Sequence, residues 1–528
     1  MKQRDRRWII RGVLLLGTLL FAGCGRADNG EEGTAPEEGS RGLPVNFRAV
    51  TLGNMPEGGM DEIYEQLDAL TIPELNCTLR FDFIPWGNER KQLNIATASG
   101  EYDFIPGGVF SDYRTLVFKN AFLDLNKYLD AVPLLREHYG IFDPDTLKKC
   151  EISGGLYGIP QFGQGMMKNI GEGFFYREDL RREWGLEEIH DLATMEAYLY
   201  RAKQEERYQD APLITDNRIW SSLWLMLTKG NYLEINSTLE TPFVVVEAAN
   251  PHVVLNRTET PEFREVLAYI KKWKEDGILA SDMLAMSDNE GERGRILFLQ
   301  DKKPCETNIP VWSINASWIA GLCERHPDWE FGFFPYLYND RAYYVASLAG
   351  NSVISVSART TEPELALKLL EKIHTDQRYY DLVAYGVEGS NYNLVDGKIS
   401  LDGIGSENRF SWTAVTDDVM GYEAVPIDER WDLVYQRILR WSEECAEKAQ
   451  DDPLDGFAIV PSDKEQAAID RVWLQYFQPL VCGYREDYLQ ELDAANERLQ
   501  EAGFDRYLAA LQEQLTEYAA EKRVKEAP

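Results

Sequence analysis

From Leu43 onward the hydrophobic pattern switches repeatedly between a period of two and a period near 3.6, which limits the chain to folds where helices cover a parallel or mixed sheet. Leu43 to Leu52 alternates as a strand and stops at Gly53-Asn54, and Met60 to Leu70 then carries apolar residues at helical spacing. Cys77 to Ile84 reads as a second strand ending at Pro85-Trp86-Gly87, and Glu89 to Ala98 as a helix closed by Gly100. Tyr102 to Ile105 reads as a short buried strand broken by Pro106-Gly107-Gly108, with a helical stretch from Phe110 to Lys119. In such sheets ligands sit beyond the carboxyl ends of the strands, so the loops at Asn54, Trp86 and Gly107 to Phe110 are expected to share one edge. Thr194 to Gln204, Pro261 to Glu275 and Glu364 to His374 also read as helices, the last capped by Thr360 or Thr361. Glu486 to Lys525 is two amphipathic patterns separated by Gly503, and the absence of a recurring period argues against a solenoid or propeller. A chain of 528 residues predicts two to four domains or two large lobes.

The first residues obey a different logic. A basic start followed by an apolar run from Gly12 to Ala22 is too short to span a bilayer and reads as a secretory leader, residues 1–23. Leu20-Phe21-Ala22-Gly23-Cys24 resembles a bacterial lipobox, in which the cysteine is lipidated and becomes the mature N-terminus. A diacylglyceryl Cys24 supplies the two or three acyl chains that stable anchoring needs. Residues 25–44, with five glycines, two prolines and no aromatic residue, read as a flexible tether. The leader holds five basic residues and one acidic one, so its removal takes the net charge from −33 to −37. Such acidity repels phosphates and anionic headgroups and argues against a nucleic-acid partner. The cysteines beyond the anchor, Cys77, Cys150, Cys305, Cys323, Cys445 and Cys482, form no C-x-x-C pair, which leaves disulfides and buried thiols both open.

No catalytic motif emerges. The five histidines have no metal-ligand spacing, and the zincin, nucleophile-elbow, dinucleotide and phosphate-loop signatures are absent, so no catalytic residue, metal or cofactor is expected. A carboxylate pair of the glycosidase kind has no fixed sequence spacing, which keeps a secreted glycoside-active enzyme as an alternative. What stands out is aromatic and amide residues together at breaks in the pattern, the pairing that sugar recognition uses: rings stack on CH faces and planar polar groups bond hydroxyls. The places are Trp86; Phe110 with Tyr113; Gln161 with Phe162 and Gln164; Trp220 with Trp224; Asn308 with Trp312; Asn351 with Ser352; Asn391 with Tyr392; and Trp412. Core packing competes for every one of them, most of all for Trp224 inside the apolar run Trp220 to Leu227.

Several segments, in order, resemble the extracellular solute-binding lipoproteins of ABC importers, of the class that takes up sugars. They are Ala98 to Ile105 with Gly107; Phe122-Leu123-Asp124-Leu125; Gly154-Gly155-Leu156-Tyr157-Gly158-Ile159-Pro160; Phe175 to Leu180; Ile296 to Lys303, where Asp301 stands for a glycine; and Ser347 to Ser355. Tyr385 to Tyr392, Asp455-Gly456-Phe457 and the terminal helices resemble the C-terminal domain of unknown function of LipO-like proteins. The resemblance implies a two-lobed, type II-like periplasmic-binding-protein fold, each lobe a mixed sheet flanked by helices, with a helical C-terminal region. Residues 45–163 with about 345–395 would form the first lobe; about 164–344 with 396–528 would form the second. It implies ligand contacts at Asn54, Gly107 to Phe110, Gln161, Trp220, Asn308 to Trp312 and Asn351, to which the aromatic reading adds Trp86 and Tyr392. Its partners would be a saccharide and ABC permease subunits, the chain acting as a lipid-anchored monomer on the outer face of the cytoplasmic membrane. A sensory lipoprotein, or a receptor for peptides or polyanions, would have the same outline.

Overall fold

The computed structural model describes residues 42–525 except 54, 86–88, 109–110, 141–144, 162–171, 236–241, 286–289, 311–315, 337–342, 346–351, 409–414, 418, 423–424, 426–428, 452, 455–456 and 461–462. The chain divides into Met1–Leu43 and a compact unit, Pro44–Pro528, to which everything below refers. Its principal strands are β1 (Val45–Leu52), β2 (Cys77–Ile84), β3 (Phe104–Gly108), β4 (Ile159–Pro160), β5 (Glu172–Arg177), β6 (Cys305–Pro310), β7 (Phe331–Pro335), β8 (Tyr343–Val345), β9 (Ser352–Val356) and β10 (Ala449–Asp451).

The first sheet runs β2-β1-β3-β9-β4. β1 is parallel to β2 from Val45↔Cys77 to Leu52↔Ile84 and parallel to β3 at Ala49↔Phe104. β9 lies antiparallel between β3 and β4, with Ser352↔Gly108 and Val353↔Pro160. Helices Met60–Leu75, Glu89–Ser99 and Pro363–Thr375 pack onto it, and Phe47, Leu79, Phe104, Ile354 and Leu370 meet in its core. Two local expectations fail. Pro106 and Gly107 do not break β3 but lie within it, opposite Ile354 and Val353. Glycine is needed there because a Cβ on Gly107 would approach the Tyr113 ring to 2.6 Å and Val353 to 2.9 Å. The helix Pro363–Thr375 is not capped by a threonine: Glu362 occupies the cap position without a side-chain bond, and Thr360 Oγ1 donates to Asp103 at 3.1 Å instead.

The second sheet is β6-β5-β7, with both outer strands antiparallel to β5, where a mixed sheet was expected. Its main core is strongly aromatic, holding Tyr176, Tyr198, Trp224, Phe243, Trp273 and Phe477, and the terminal helices Tyr488–Glu501 and Phe504–Lys525 pack into it through Leu492, Leu499, Phe504 and Leu511. A smaller core joins Phe175, Phe298, Trp329 and Phe331 to Val434 and Ile438 of helix Glu429–Lys448. Many of the aromatic side chains therefore serve packing, at roughly 1.5–3 kcal/mol for each fully buried large side chain.

Part of the chain beyond 395 packs onto the core of the first sheet. Val415 and Ala458 pack in the first core. Asp417, fully buried, stands 2.6 Å from His138 Nε2, and its backbone oxygen accepts from Tyr380 Oη at 2.7 Å. A buried carboxylate needs such partners, and the first lobe supplies them. Cys77, Cys150, Cys305, Cys323 and Cys482 are buried thiols outside any disulfide, which settles for these five the choice between the two. Among the described residues no helix is long and apolar enough to cross a membrane, and no cluster of His, Cys, Asp and Glu could hold a metal ion.

Candidate functional site

Strand direction places the loops. β1, β2 and β3 are parallel and end at Leu52, Ile84 and Gly108; antiparallel β9 begins beside Gly108, and β4 ends beside Val353. Gly53, Pro85, Gly108, Gln161 and Ser352 therefore gather at one edge of the first sheet, as the strand-end rule anticipates. In the second sheet Glu172 lies opposite Pro310 and next to the β7 end, Tyr336 N donating to Glu172 O at 3.1 Å. The chain leaves the first edge at Gln161 and enters the second at Glu172, then leaves the second at Tyr336 and re-enters the first at Ser352. Gln161 and Glu172 are eleven residues apart, so the first crossing spans at most about 40 Å.

Gln161 pins both crossings. It is 1% exposed; its N–H donates to Ser352 O at 3.0 Å and its Oε1 accepts from Ser352 Oγ at 2.5 Å. This ties the start of one crossing to the end of the other at the sheet edge. Gly107 contributes close strand packing, as described above. Trp220, expected at a ligand loop, lies on helix Ile219–Thr228, is 5% exposed, and has its ring among Phe263 at 6.2 Å, Trp473 at 5.3 Å and the Arg257 guanidinium at 5.7 Å. Its partners are the protein's own groups because the run Ile219 to Met226 is apolar nearly all round. Tyr392 is likewise buried, 5.5 Å from the Tyr385 ring, and burial raises its phenol well above the usual value. Asn308 lies in β6. Its side chain, and Asn54, Trp86, Phe110, Trp312, Asn351 and Cys24, lie outside the described residues.

Sequence reasoning missed the charged groups of the second edge. Asp216, buried, holds Arg218 through Nη2 at 2.8 Å and Nε at 3.2 Å just before helix Ile219–Thr228. Behind it, Lys303, fully buried, stands 2.9 Å from Glu306 Oε1 and 3.3 Å from Thr215 Oγ1. Glu172 begins β5, and burial pushes its carboxyl up to about 7; Asp216 and Glu234 add to that rise and Arg218 opposes it. The only sequence signal was a lone carboxylate opening the otherwise apolar strand Gly173 to Tyr176, directly after a crossing segment.

Two sheets with their helices, joined by segments that cross from one to the other and back, give the fold of the periplasmic solute-binding proteins. Within it, residues 453–520 match the family described as Domain of unknown function (DUF3502), the segment whose helices brace the second core. A carbohydrate ABC transporter substrate-binding protein of Streptococcus pneumoniae serotype 4 is 22% identical over 517 residues, 95% of this chain and 96% of that protein. Among solved structures, the N-glycan transport solute binding protein of Streptococcus pneumoniae superposes with a TM-score of 0.69 at 18% identity, over 90% of this chain and 100% of that one. An ABC-transporter-associated solute binding protein of Bifidobacterium longum infantis that binds HMO gives 0.61 at 17% identity, over 90% and 99%.

Proposed function

We propose that this chain is the substrate-binding component of a carbohydrate ABC importer, which takes a glycan between its two lobes and passes it unchanged to permease subunits. The observation that carries the reading is the likeness to a carbohydrate ABC transporter substrate-binding protein along nearly the whole of both chains. The fold supports it, since its joined edges suit capture and release, and the N-glycan transport protein of the same fold has been solved with Man5GlcNAc bound. The leader and Cys24 favour a lipid-anchored protein on the extracellular face of the membrane. The loops at Asn54, Trp86, Phe110, Asn308 to Trp312 and Asn351 are the proposed ligand contacts, and residues 45–163 with the return through β9 the proposed first lobe.

The test is a melting-temperature screen of the purified protein against neutral, amino-sugar and acidic oligosaccharides, followed by mass spectrometry of the eluted ligand. A receptor gives a stabilising shift of about 2.7 kcal/mol at a hundredfold excess over Kd and returns the glycan intact. Shortened product would make it a glycoside-active enzyme, and no shift across the panel would remove the carbohydrate assignment.

A further inference from the structure

Three titratable side chains from distant parts of the chain meet beside the core of the first sheet. His138, on helix Pro133–Gly140, donates from Nε2 to Asp417 Oδ2 at 2.6 Å, and both groups are buried. His374, on helix Pro363–Thr375, has Nδ1 2.6 Å from Leu370 O; a carbonyl only accepts, so Nδ1 carries the proton and Nε2 a bare lone pair. That Nε2 has no hydrogen-bond partner among the described residues and stands 4.0 Å from Asp417 Oδ2. It is open to a proton in a place closed to water. The titratable groups within reach of His374 are Asp417 and His138, with the Tyr139 ring 6.0 Å away. From the other helices on Pro363–Thr375, Tyr380 turns to Asp417 O at 2.7 Å, and Glu74 pairs with Lys372 at 2.9 Å on the surface.

Asp417 stands on chain without regular structure, and the bonds around it fasten that chain: Val419 N donates to Asp417 Oδ1 at 3.0 Å, Gln377 Nε2 to Met420 O at 3.3 Å, and Tyr422 N to Tyr385 Oη at 3.0 Å. Tyr422 Oη also donates to Asp381 Oδ2 at 3.0 Å. The next helix, Glu429–Lys448, belongs to the smaller core of the second sheet, where Arg430 Nη1 donates to His326 O and Trp329 O at 2.9 Å each. The chain after Asp417 is thus a third connection between the cores of the two sheets, held at one end by buried titratable groups and at the other by a guanidinium. We propose that His138, Asp417 and His374 form a proton-operated latch, which at neutral pH fastens this third connection to the core of the first sheet and which releases it in mildly acidic solution when His374 Nε2 takes up a proton. Protonated His374 adds a charge where desolvation already outweighs the pull of Asp417. The two histidines ride on helices held in the core by Leu135, Leu370 and Ile373, so the irregular chain bearing Asp417 yields first. A histidine that stays neutral while latched and titrates at its ordinary value of about 6.5 once released favours release about tenfold more at pH 5.5 than at pH 7.5.

The experiment is hydrogen exchange followed by mass spectrometry on the full chain in detergent at pH 5.5 and 7.5, corrected for the intrinsic exchange rate, for the wild type, His374→Gln and Asp417→Asn. In the wild type the peptides carrying Val419 and Tyr422 lose about tenfold in protection at pH 5.5, while peptides from β1 and β2 keep theirs. His374→Gln, which cannot take up the proton, keeps the pH 7.5 protection and loses the fall. Asp417→Asn weakens the bond to His138 and lowers protection of the same peptides at pH 7.5 by at least about tenfold. Equal protection of the Val419 and Tyr422 peptides at both pH values in the wild type overturns the latch, and so does a loss spread evenly over β1 and β2. A fall that persists in His374→Gln, or full protection in Asp417→Asn, at an unchanged melting temperature overturns it as well. The wild-type comparison decides alone where a variant fails to fold.

Discussion

Replacing Lys303 with methionine removes the only side-chain cation within ion-pair distance of Glu306 among the described residues, and both groups are nearly devoid of solvent contact. At 2.9 Å the attraction is about 6 kcal/mol for an effective dielectric constant of 20, against a desolvation penalty of several kcal/mol for each ion. The pair is thus close to neutral in net terms, whereas one half of it alone is costly. Lys303→Met should lower the unfolding free energy by about 3–5 kcal/mol at pH 8, and the double variant Lys303→Met with Glu306→Leu should recover most of that loss. The pH sign follows from Glu306, whose folded pKa is already raised by burial despite Lys303. Without the lysine it rises further, the folded state binds more protons than the unfolded one, and stability falls as pH increases from the unfolded carboxyl value through the folded one. Lys303→Met is therefore less damaged at pH 5 than at pH 8. Urea unfolding followed by circular dichroism at both pH values measures each term. Additive losses in the double variant, or a Lys303→Met penalty that does not change with pH, would refute the reasoning.

His374 is buried with Nδ1 bonded to Leu370 O at 2.6 Å, and burial lowers its pKa, with Asp417 opposing at 4.0 Å. Its folded state binds fewer protons than the unfolded one, so its stabilising contribution is complete above about pH 6.5 and is lost as pH falls through the depressed folded value. Melting temperatures from pH 7.5 to 5 should drop in the wild type and drop less in His374→Gln; equal slopes would count against this account. Gly107→Ala forces a methyl against the Tyr113 ring and Val353 and should cost about 1–3 kcal/mol in urea unfolding, with a neutral result showing that β3 can move.

What could be read along the chain was what local pattern controls. The helix Pro261–Glu275 appears with its expected limits because Thr260 accepts from Phe263 N, Pro261 opens the first turn, and its apolar residues recur on one face. The separation of the terminal helices at Gly503, with φ of 98°, is equally local. β3 was harder, since its Pro-Gly-Gly reads as a stop until β9, some 250 residues later, pairs with it and the Tyr113 ring packs against Gly107. Trp220 packs against Trp473 of the C-terminal region, a contact that no local pattern along the chain records. Glu172 was passed over because its one local signal, a carboxylate opening the apolar run Gly173 to Tyr176, is an ordinary way for a strand to begin.

The sequence by itself determined the alternating α/β character and the excess of acidic charge, because hydrophobic period, helix caps and composition act over a few residues at a time. Only the tertiary structure decided that Asp417 is buried beside His138 and that Gln161 and Ser352 tie the two crossings together. The physical reason is that desolvation and pairing depend on what surrounds a charge in space, and those surroundings are assembled from strands and helices hundreds of residues apart.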